Sequence, residues 1–406
     1  MTLSDMTASP DPQSLAPLWL KKREEKRLRA GHLWIYSNEV DTARSPLSDL
    51  TAGQLVQVRA SNGQSLGTAY ANPHSLICAR LLCRDDIRRP NRAFFLDRLQ
   101  TALSLRERFY SSPYYRLVYG ESDGLPGLVV DRYGDYLVVQ LTTAGSEHLK
   151  EPILEALGQL LEPRGMVLRN DSPLRQMEGL DSYVETIGSV PDEIEVLEGN
   201  NRFLITPRTG QKTGWFFDQA ATRSRLAPYV RNATVLDMFS YVGAWGIAAK
   251  RHGATEVTCV DSSKTAISQL ETNANANGLS IETQVGNAFD VLKQHRQERR
   301  LFDVVILDPP AFIKRRKDLK AGMEAYRRLN QHALQVIKPG GFLWTGSCSY
   351  HMATEELLSL VQAAARHVDR SLQLIEQGGQ APDHPIHPAI RETAYLKMFA
   401  FRVLRA

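Results

Sequence analysis

The chain has 406 residues, 43% of them hydrophobic and 23% charged, an ordinary globular balance that is too long for one core and predicts two or three domains. No apolar run approaches the roughly 18–20 residues that span a bilayer, so no membrane partner is expected. A formal net charge of +4 is compatible with nucleic acid, and four cysteines (Cys78, Cys83, Cys259, Cys348) without a C-x-x-C pair point to a reducing cytoplasm, free thiols and no metal site.

Residues 1–14 are polar and Pro-containing, lack an apolar signal core, and read as a flexible tail. From 15 to 85, short apolar runs at 33–36, 55–59, 67–70 and 75–82 alternate with Gly and Asn turns, and Asn62-Gly63 is a hairpin signal. A basic helix or strand over 18–29 leads into this β-rich module. Its run from Lys21 to Arg29 carries six bases against two acids; such a run is usually a solvated face, and Lys21, Lys22 and Arg23 are its candidate substrate contacts.

Residues 86–190 alternate differently. A helix is expected over 91–110, with Phe94, Phe95, Leu99, Leu103 and Leu105 on its apolar side, then strands at 127–131 and 136–142, a helix at 146–161 and a strand at 165–170. This reads as a small α/β domain. From 191 to 406 a hairpin turning at Gly199-Asn200-Asn201 precedes strands at 234–237, 256–261, 281–285, 301–307, 341–345 and 395–403, with helices at 244–252, 263–277, 289–297, 318–336 and 354–368. Regular alternation predicts a doubly wound, mostly parallel sheet, whose ligands sit at the carboxyl ends of the strands.

The first strand–helix turn of that sheet reads Asp237-Met238-Phe239-Ser240-Tyr241-Val242-Gly243. Gly243 permits close backbone approach at a helix start, but the G-x-G-x-x-G fingerprint is missing, so a pyrophosphate is disfavoured. Asp237 would repel phosphate and suit an amino-acid ammonium. Asp261, followed by Ser262, ends the second strand where a carboxylate takes ribose hydroxyls, and Asn287, followed by Ala288, ends the third where an adenine amine could donate. Ribose, adenine and an ammonium without phosphates describe S-adenosylmethionine; the bland alternative is that both aspartates cap helices. The Gly-rich, aromatic stretch 209–219 suits a flap over that ligand, with Gln211 and Lys212 as contacts.

Asp308-Pro309-Pro310-Ala311-Phe312 and Ser347-Cys348-Ser349 each follow an apolar strand, and the helical stretch between them makes the two strands parallel neighbours. A carboxylate and a thiol therefore converge on one rim. Methylating cytosine C5 requires a nucleophile to add at C6, which a thiolate can do. Asp308 would grip the base, the prolines stiffen the backbone, and Phe312 would stack. Lys314-Arg315-Arg316-Lys317 would meet phosphate and favour the thiolate. The acceptor of the C5 proton is open between Asp308, through water, and His351.

These motifs, with Lys338-Pro-Gly-Gly341, Gln380-Ala-Pro-Asp383-His384-Pro385, Glu392-Thr-Ala-Tyr395-Leu-Lys397, Gly210-Gln-Lys-Thr-Gly214 and Glu121-Ser-Asp-Gly-Leu-Pro-Gly-Leu128, resemble the RlmI family of bacterial 23S rRNA cytosine-5 methyltransferases over nearly the whole chain. The resemblance implies an α/β protein of three parts: an N-terminal β-rich PUA domain (15–85), a central α/β domain (86–190) and a C-terminal doubly wound, Rossmann-like class I methyltransferase domain (191–406). It implies Cys348 as nucleophile, Asp308 as its partner on the base, S-adenosylmethionine as cofactor, and 23S rRNA, naked or in a large-subunit precursor, as substrate; a homodimer is left open. Ala220 stands where the family continues with Arg, and Asn287 where Asp is common. Pro310 stands where another group of RNA cytosine-5 methylases has a second cysteine, so one thiol acts alone. Two other readings compete: methylation of an exocyclic amine or ring nitrogen, which the Asp-Pro-Pro-aromatic motif also suits, and a catalytically silent RNA-binding or assembly factor.

Overall fold

A computed structural model describes residues 15–84 and 90–406; the expected tail over 1–14 and the expected junction at 85/86 lie outside the described residues. The N-terminal part is a five-stranded sheet in the order Ala16–Trp19, Leu55–Arg59, Ser65–Ala71, Ile77–Cys83, Trp34–Tyr36. Gly63 takes φ +92° in the predicted hairpin turn, a backbone state that favours glycine. The basic approach contains both elements that the sequence allowed, the strand Ala16–Trp19 and a short helix Lys26–Arg29.

The central part pairs the helices Arg92–Phe109 and Lys150–Leu161 on one five-stranded sheet. Asn91 starts the first helix by accepting from the Phe94 amide (3.0 Å). The expected helix at 146–161 is two, Ala144–His148 and Lys150–Leu161, because Pro152 lacks an amide proton and fits only the first turn of a new helix. Two strands carried no sequence signal: Tyr114–Tyr119 and Tyr183–Gly188. Tyr70 and Leu82 of the N-terminal sheet lie in the central part's core, so the two parts share packing.

The C-terminal sheet has seven strands: β1 (Thr234–Met238), β2 (Glu256–Asp261), β3 (Glu282–Val285), β4 (Phe302–Leu307), β5 (Ile337–Ser347), β6 (Arg370–Gly378) and β7 (Lys397–Arg405). Their order is β3-β2-β1-β4-β5-β7-β6, with β7 antiparallel to both neighbours. Helices α1 (Ala244–Arg251), α2 (Lys264–Ala276), α3 (Ala288–Gln297), α4 (Leu319–Gln335) and α5 (Thr354–His367) cover its two faces. The paired stretches 235–238 of β1, 304–307 of β4 and 343–347 of β5 are buried throughout, as a central parallel sheet requires. The chain is thus α/β with a doubly wound C-terminal sheet, and the strand order reverses between β1 and β4, where a crevice opens. No helix among the described residues is long and apolar enough to cross a membrane.

Candidate active site

Asp308 follows β4 and Cys348 follows β5, and the two strands pair in parallel through Leu307 and Thr345. Alternation along an extended chain sends Ser347 and Ser349 to one side and Cys348 to the other. Tyr326 of α4 fastens the two serines from beneath: the Ser347 hydroxyl lies 2.9 Å and the Ser349 hydroxyl 3.0 Å from its phenol oxygen. Ser349 Oγ also accepts the Ile313 amide (3.2 Å), which ties the loop after Asp308 to the loop bearing the thiol. Buried Lys397 donates to the Ser349 carbonyl (2.9 Å). Cys348 is left half-buried, its Sγ 3.9 Å from the Pro309 carbonyl oxygen.

Two cavities meet at Cys348 and Ala311. The smaller, of about 330 Å³, lies over the β1–β4 crevice; the larger, of about 1120 Å³, is a cleft walled by all three parts of the chain. The smaller gathers ten of the expected site residues: Gln211, Lys212, Phe239, Ser240, Asp261, Ser262, Asp308, Pro309, Pro310 and Cys348. Asp261 accepts the Tyr241 amide (3.0 Å) on one oxygen and the Ser263 amide (2.8 Å) on the other, which fixes the carboxylate at the cavity wall. Buried Ser240 Oγ has no partner in the protein, as expected of a ligand contact. Phe239 (φ +63°) and Tyr241 (φ +48°) are held in the left-handed region on either side of it.

Other expected residues stand elsewhere. Asp237 is fully buried and does not line the cavity; its Oδ2 accepts the Gly246 amide (2.9 Å) and the Cys259 thiol, while its Oδ1 has no partner in the protein. Burial, with Asp308 nearby, pushes its carboxyl up to about 8. Gly243 takes φ +94° at the start of α1, where a Cβ would come within 2.7 Å of Leu270 Cγ; its role is close packing. Asn287 accepts the Phe289 amide (2.9 Å), capping the helix that Ala288 begins, and neither lines the cavity. Phe312 packs on Tyr326 at 4.7 Å between ring centroids and lines neither cavity. Lys314 reaches the cleft, while Arg315, Arg316 and Lys317 line neither cavity, nor do the exposed Lys21, Lys22 and Arg23.

The sequence did not single out Asp218, Gln219 and Trp245, which line the smaller cavity beside Asp308. An indole N–H can only donate, so the Trp245 bond to Gln219 Oε1 (2.8 Å) fixes that amide, whose nitrogen then donates to Asp308 Oδ2 (2.8 Å). Burial raises the Asp308 carboxyl to about 6 against that bond. Asp218 is buried too, but Lys212, His384 and the Tyr395 hydroxyl hold it down at about 2. Burial pushes the Cys348 thiol up; the cation that opposes this is Lys212, not the 314–317 cluster. The Lys212 ammonium sits 4.5 Å over the Phe216 ring, in a loop held by Asp131, which accepts from Thr213, and by Tyr133, which donates to the Thr213 carbonyl (3.1 Å).

Comparison with known proteins matches residues 18–84 to a PUA-like domain family and residues 219–367 to a family described as conserved hypothetical protein 95. The ribosomal RNA large subunit methyltransferase I of Aliivibrio fischeri (strain ATCC 700601 / ES114) is 36% identical over 395 residues, which covers 95% of this chain and 99% of the relative. That of Vibrio vulnificus (strain YJ016) is 35% identical over 401 residues, covering 96% and 100%. Among solved structures, a protein assigned as a methyltransferase and crystallised with SAH has a TM-score of 0.82 at 22% identity over 96% of this chain and 100% of its own. One assigned as a SAM-dependent methyltransferase from Streptococcus mutans has a TM-score of 0.80 at the same identity and coverage. These structures establish the likeness of fold.

Proposed function

Because the chain belongs to the ribosomal RNA large subunit methyltransferase I family, we propose that it methylates C5 of a cytosine in 23S rRNA, in the cytoplasm, through a covalent bond between Cys348 and C6 of the base. One observation carries this reading: the thiol stands in the wall common to both cavities, so a cofactor in the smaller and a base entering from the larger meet on either side of it. S-adenosylmethionine fits the smaller cavity. Phe239, Ser240, Asp261, Ser262, Gln211 and Lys212 would hold it, and it supplies an electrophilic methyl group to C5.

The residues divide the remaining work. Lys212 favours the Cys348 thiolate, which bonds to C6 while the C5=C6 electron pair moves to C5. The Asp308 carboxylate, turned by Gln219, accepts from the base amine and fixes the ring. After C5 is methylated its proton passes to a base, and the electrons of the C5–H bond restore C5=C6 as the C6–S bond breaks. His351, in the cleft wall beside Tyr350, and Asp308 are the candidate proton acceptors.

The test is RNA carrying 5-fluorocytosine, whose fluorine cannot leave as a proton would. A denaturant-stable protein–RNA adduct that needs both S-adenosylmethionine and Cys348 is expected. Methylated product from Cys348→Ala, carrying its label on a nitrogen, would overturn the carbon reading.

A further inference from the structure

Large apolar side chains exposed singly are unremarkable on a protein surface. Here, three of the five most exposed among the described residues line one cleft: Leu76 (80% exposed), Met177 (74%) and Leu174 (56%). They come from different parts of the chain. Leu76 lies in the turn before the strand Ile77–Cys83 of the N-terminal sheet, and Leu174 and Met177 on the short helix Pro173–Met177 of the central part. Tyr350, 40% exposed and two residues beyond the thiol, lines the same cleft.

The basic charges there are mostly spent, and the exposed Glu392 in the wall has no ion pair among those described. Of the two Lys or Arg side chains in the wall, Arg80 is paired with Glu178 (3.1 Å) and only Lys314 is free of a charged partner among those described. Glu121 accepts the Trp34 indole N–H (2.8 Å). Such a lining offers little to phosphates and much to the faces of bases, which stack on apolar and aromatic side chains whatever their identity. The cleft is also continuous with the thiol, and the cofactor cavity lies on the thiol's other side.

We propose that the cleft binds an unpaired RNA segment, with nucleotides flanking the target cytosine stacked on Leu76, Leu174, Met177 and Tyr350. This rests on the function proposed above and adds a requirement to it: the neighbours of the target must be unpaired too, not the target alone. Phosphates face outward, toward solvent and Lys314.

The test takes 23S rRNA transcribed in vitro, locates the methylated cytosine, and prepares a short RNA around it. That strand is compared, free, with the same strand annealed to a complement that pairs both flanks but leaves the target bulged. The free strand should react at least about tenfold faster in kcat/KM. In the full-length protein, Leu76→Ser with Met177→Ser, both exposed and so harmless to folding, should raise KM for the free strand about tenfold and leave SAH affinity unchanged. Equal rates on free and bulged substrates overturn the proposal. So does an unchanged KM in the double variant, which would leave the surface to a protein partner or a second copy. Absence of any 5-methylcytosine with the wild-type protein would instead remove the proposed function itself.

Discussion

At the scale of single residues, the most consequential contact is the one that the Trp245 indole dictates. Gln219 must present its nitrogen to Asp308, and that bond favours the ionised carboxylate against the burial that raises it to about 6. An activity that needs Asp308 as an acceptor falls as pH drops through that value, and removing the donor moves the acid limb upward. Gln219→Leu should therefore lose activity most between about pH 6 and 7 and recover toward wild type near pH 8. Trp245→Phe, which frees the amide to rotate, should shift the limb less in the same direction. Profiles of kcat/KM that stay parallel at every pH would mean that Gln219 only supports the fold. Asp237 gives a stability counterpart. Burial raises its folded carboxyl to about 8, well above an unfolded aspartate, so its contribution is complete only below about pH 4 and is lost progressively as pH rises to 8. Asp237→Asn, neutral throughout, should match the wild-type melting temperature near pH 4 and exceed it by a margin that grows up to pH 8 and is kept at pH 9. A gain of about 1 kcal/mol is worth roughly 2–4 °C in a domain of this size. Equal melting at pH 9 would contradict burial as the source of the shift.

At the scale of elements, legibility mostly follows burial, although the edge strand β3, none of it buried, was readable from its place in the strand–helix alternation. Strands β1, β4 and β5 carry short buried apolar runs, at 235–236, 304–307 and 343–344, because both faces of a central parallel strand are covered, and they were readable with the carboxyl-end residues Asp308 and Cys348. The edge strands β6 and Tyr183–Gly188 escaped because most of their residues are not buried and no apolar period survives. Tyr114–Tyr119 escaped because Arg116 interrupts it, and only the fold shows that this guanidinium is held by Asp131 (2.8 Å). The same holds for the site: Gln219 meets Asp308 across 89 residues, a juxtaposition that no local pattern encodes. The loop bearing Gln211 and Lys212 has its anchor in another part of the chain, since Asp131 and Tyr133 of the central sheet hold Thr213. Thr213→Val keeps the volume and removes the hydroxyl. It should weaken SAH binding about ten- to a hundredfold, the net worth of one buried bond to a charged group, without lowering the yield of folded protein. Unchanged SAH affinity by calorimetry would show that the loop holds its shape without this anchor.

At the scale of the whole molecule, the three parts are bolted together by buried polar contacts that converge on the segment between β6 and β7. Trp34 and Arg80 join the N-terminal sheet to Glu121 and Glu178 of the central part. Arg106, fully buried, forks onto Asp123 (2.6 and 2.8 Å) and donates to the Asp383 carbonyl (2.7 Å), while the Asp383 carboxylate accepts the Arg116 amide (2.9 Å) and meets His384 (2.8 Å). Tyr119 donates to the Thr393 carbonyl (3.0 Å), and two residues on, Tyr395 donates to Asp218 in the cofactor cavity. The central part thus positions one wall of the active site through a route some residues long. Arg106→Met would strand Asp123 as a lone buried charge, at a cost of about 3–5 kcal/mol. Pairing it with Asp123→Asn removes that charge and should recover much of the loss. It leaves the Asp383 carbonyl without its donor, however, so the segment carrying Tyr395 stays loosened. The double variant should therefore melt near wild type in scanning calorimetry yet keep a reduced kcat, with SAH affinity lowered less than turnover. If stability and kcat return together, the Arg106 bond to Asp383 is a fastening of the fold alone, and the central part has no hold on the chemistry through it.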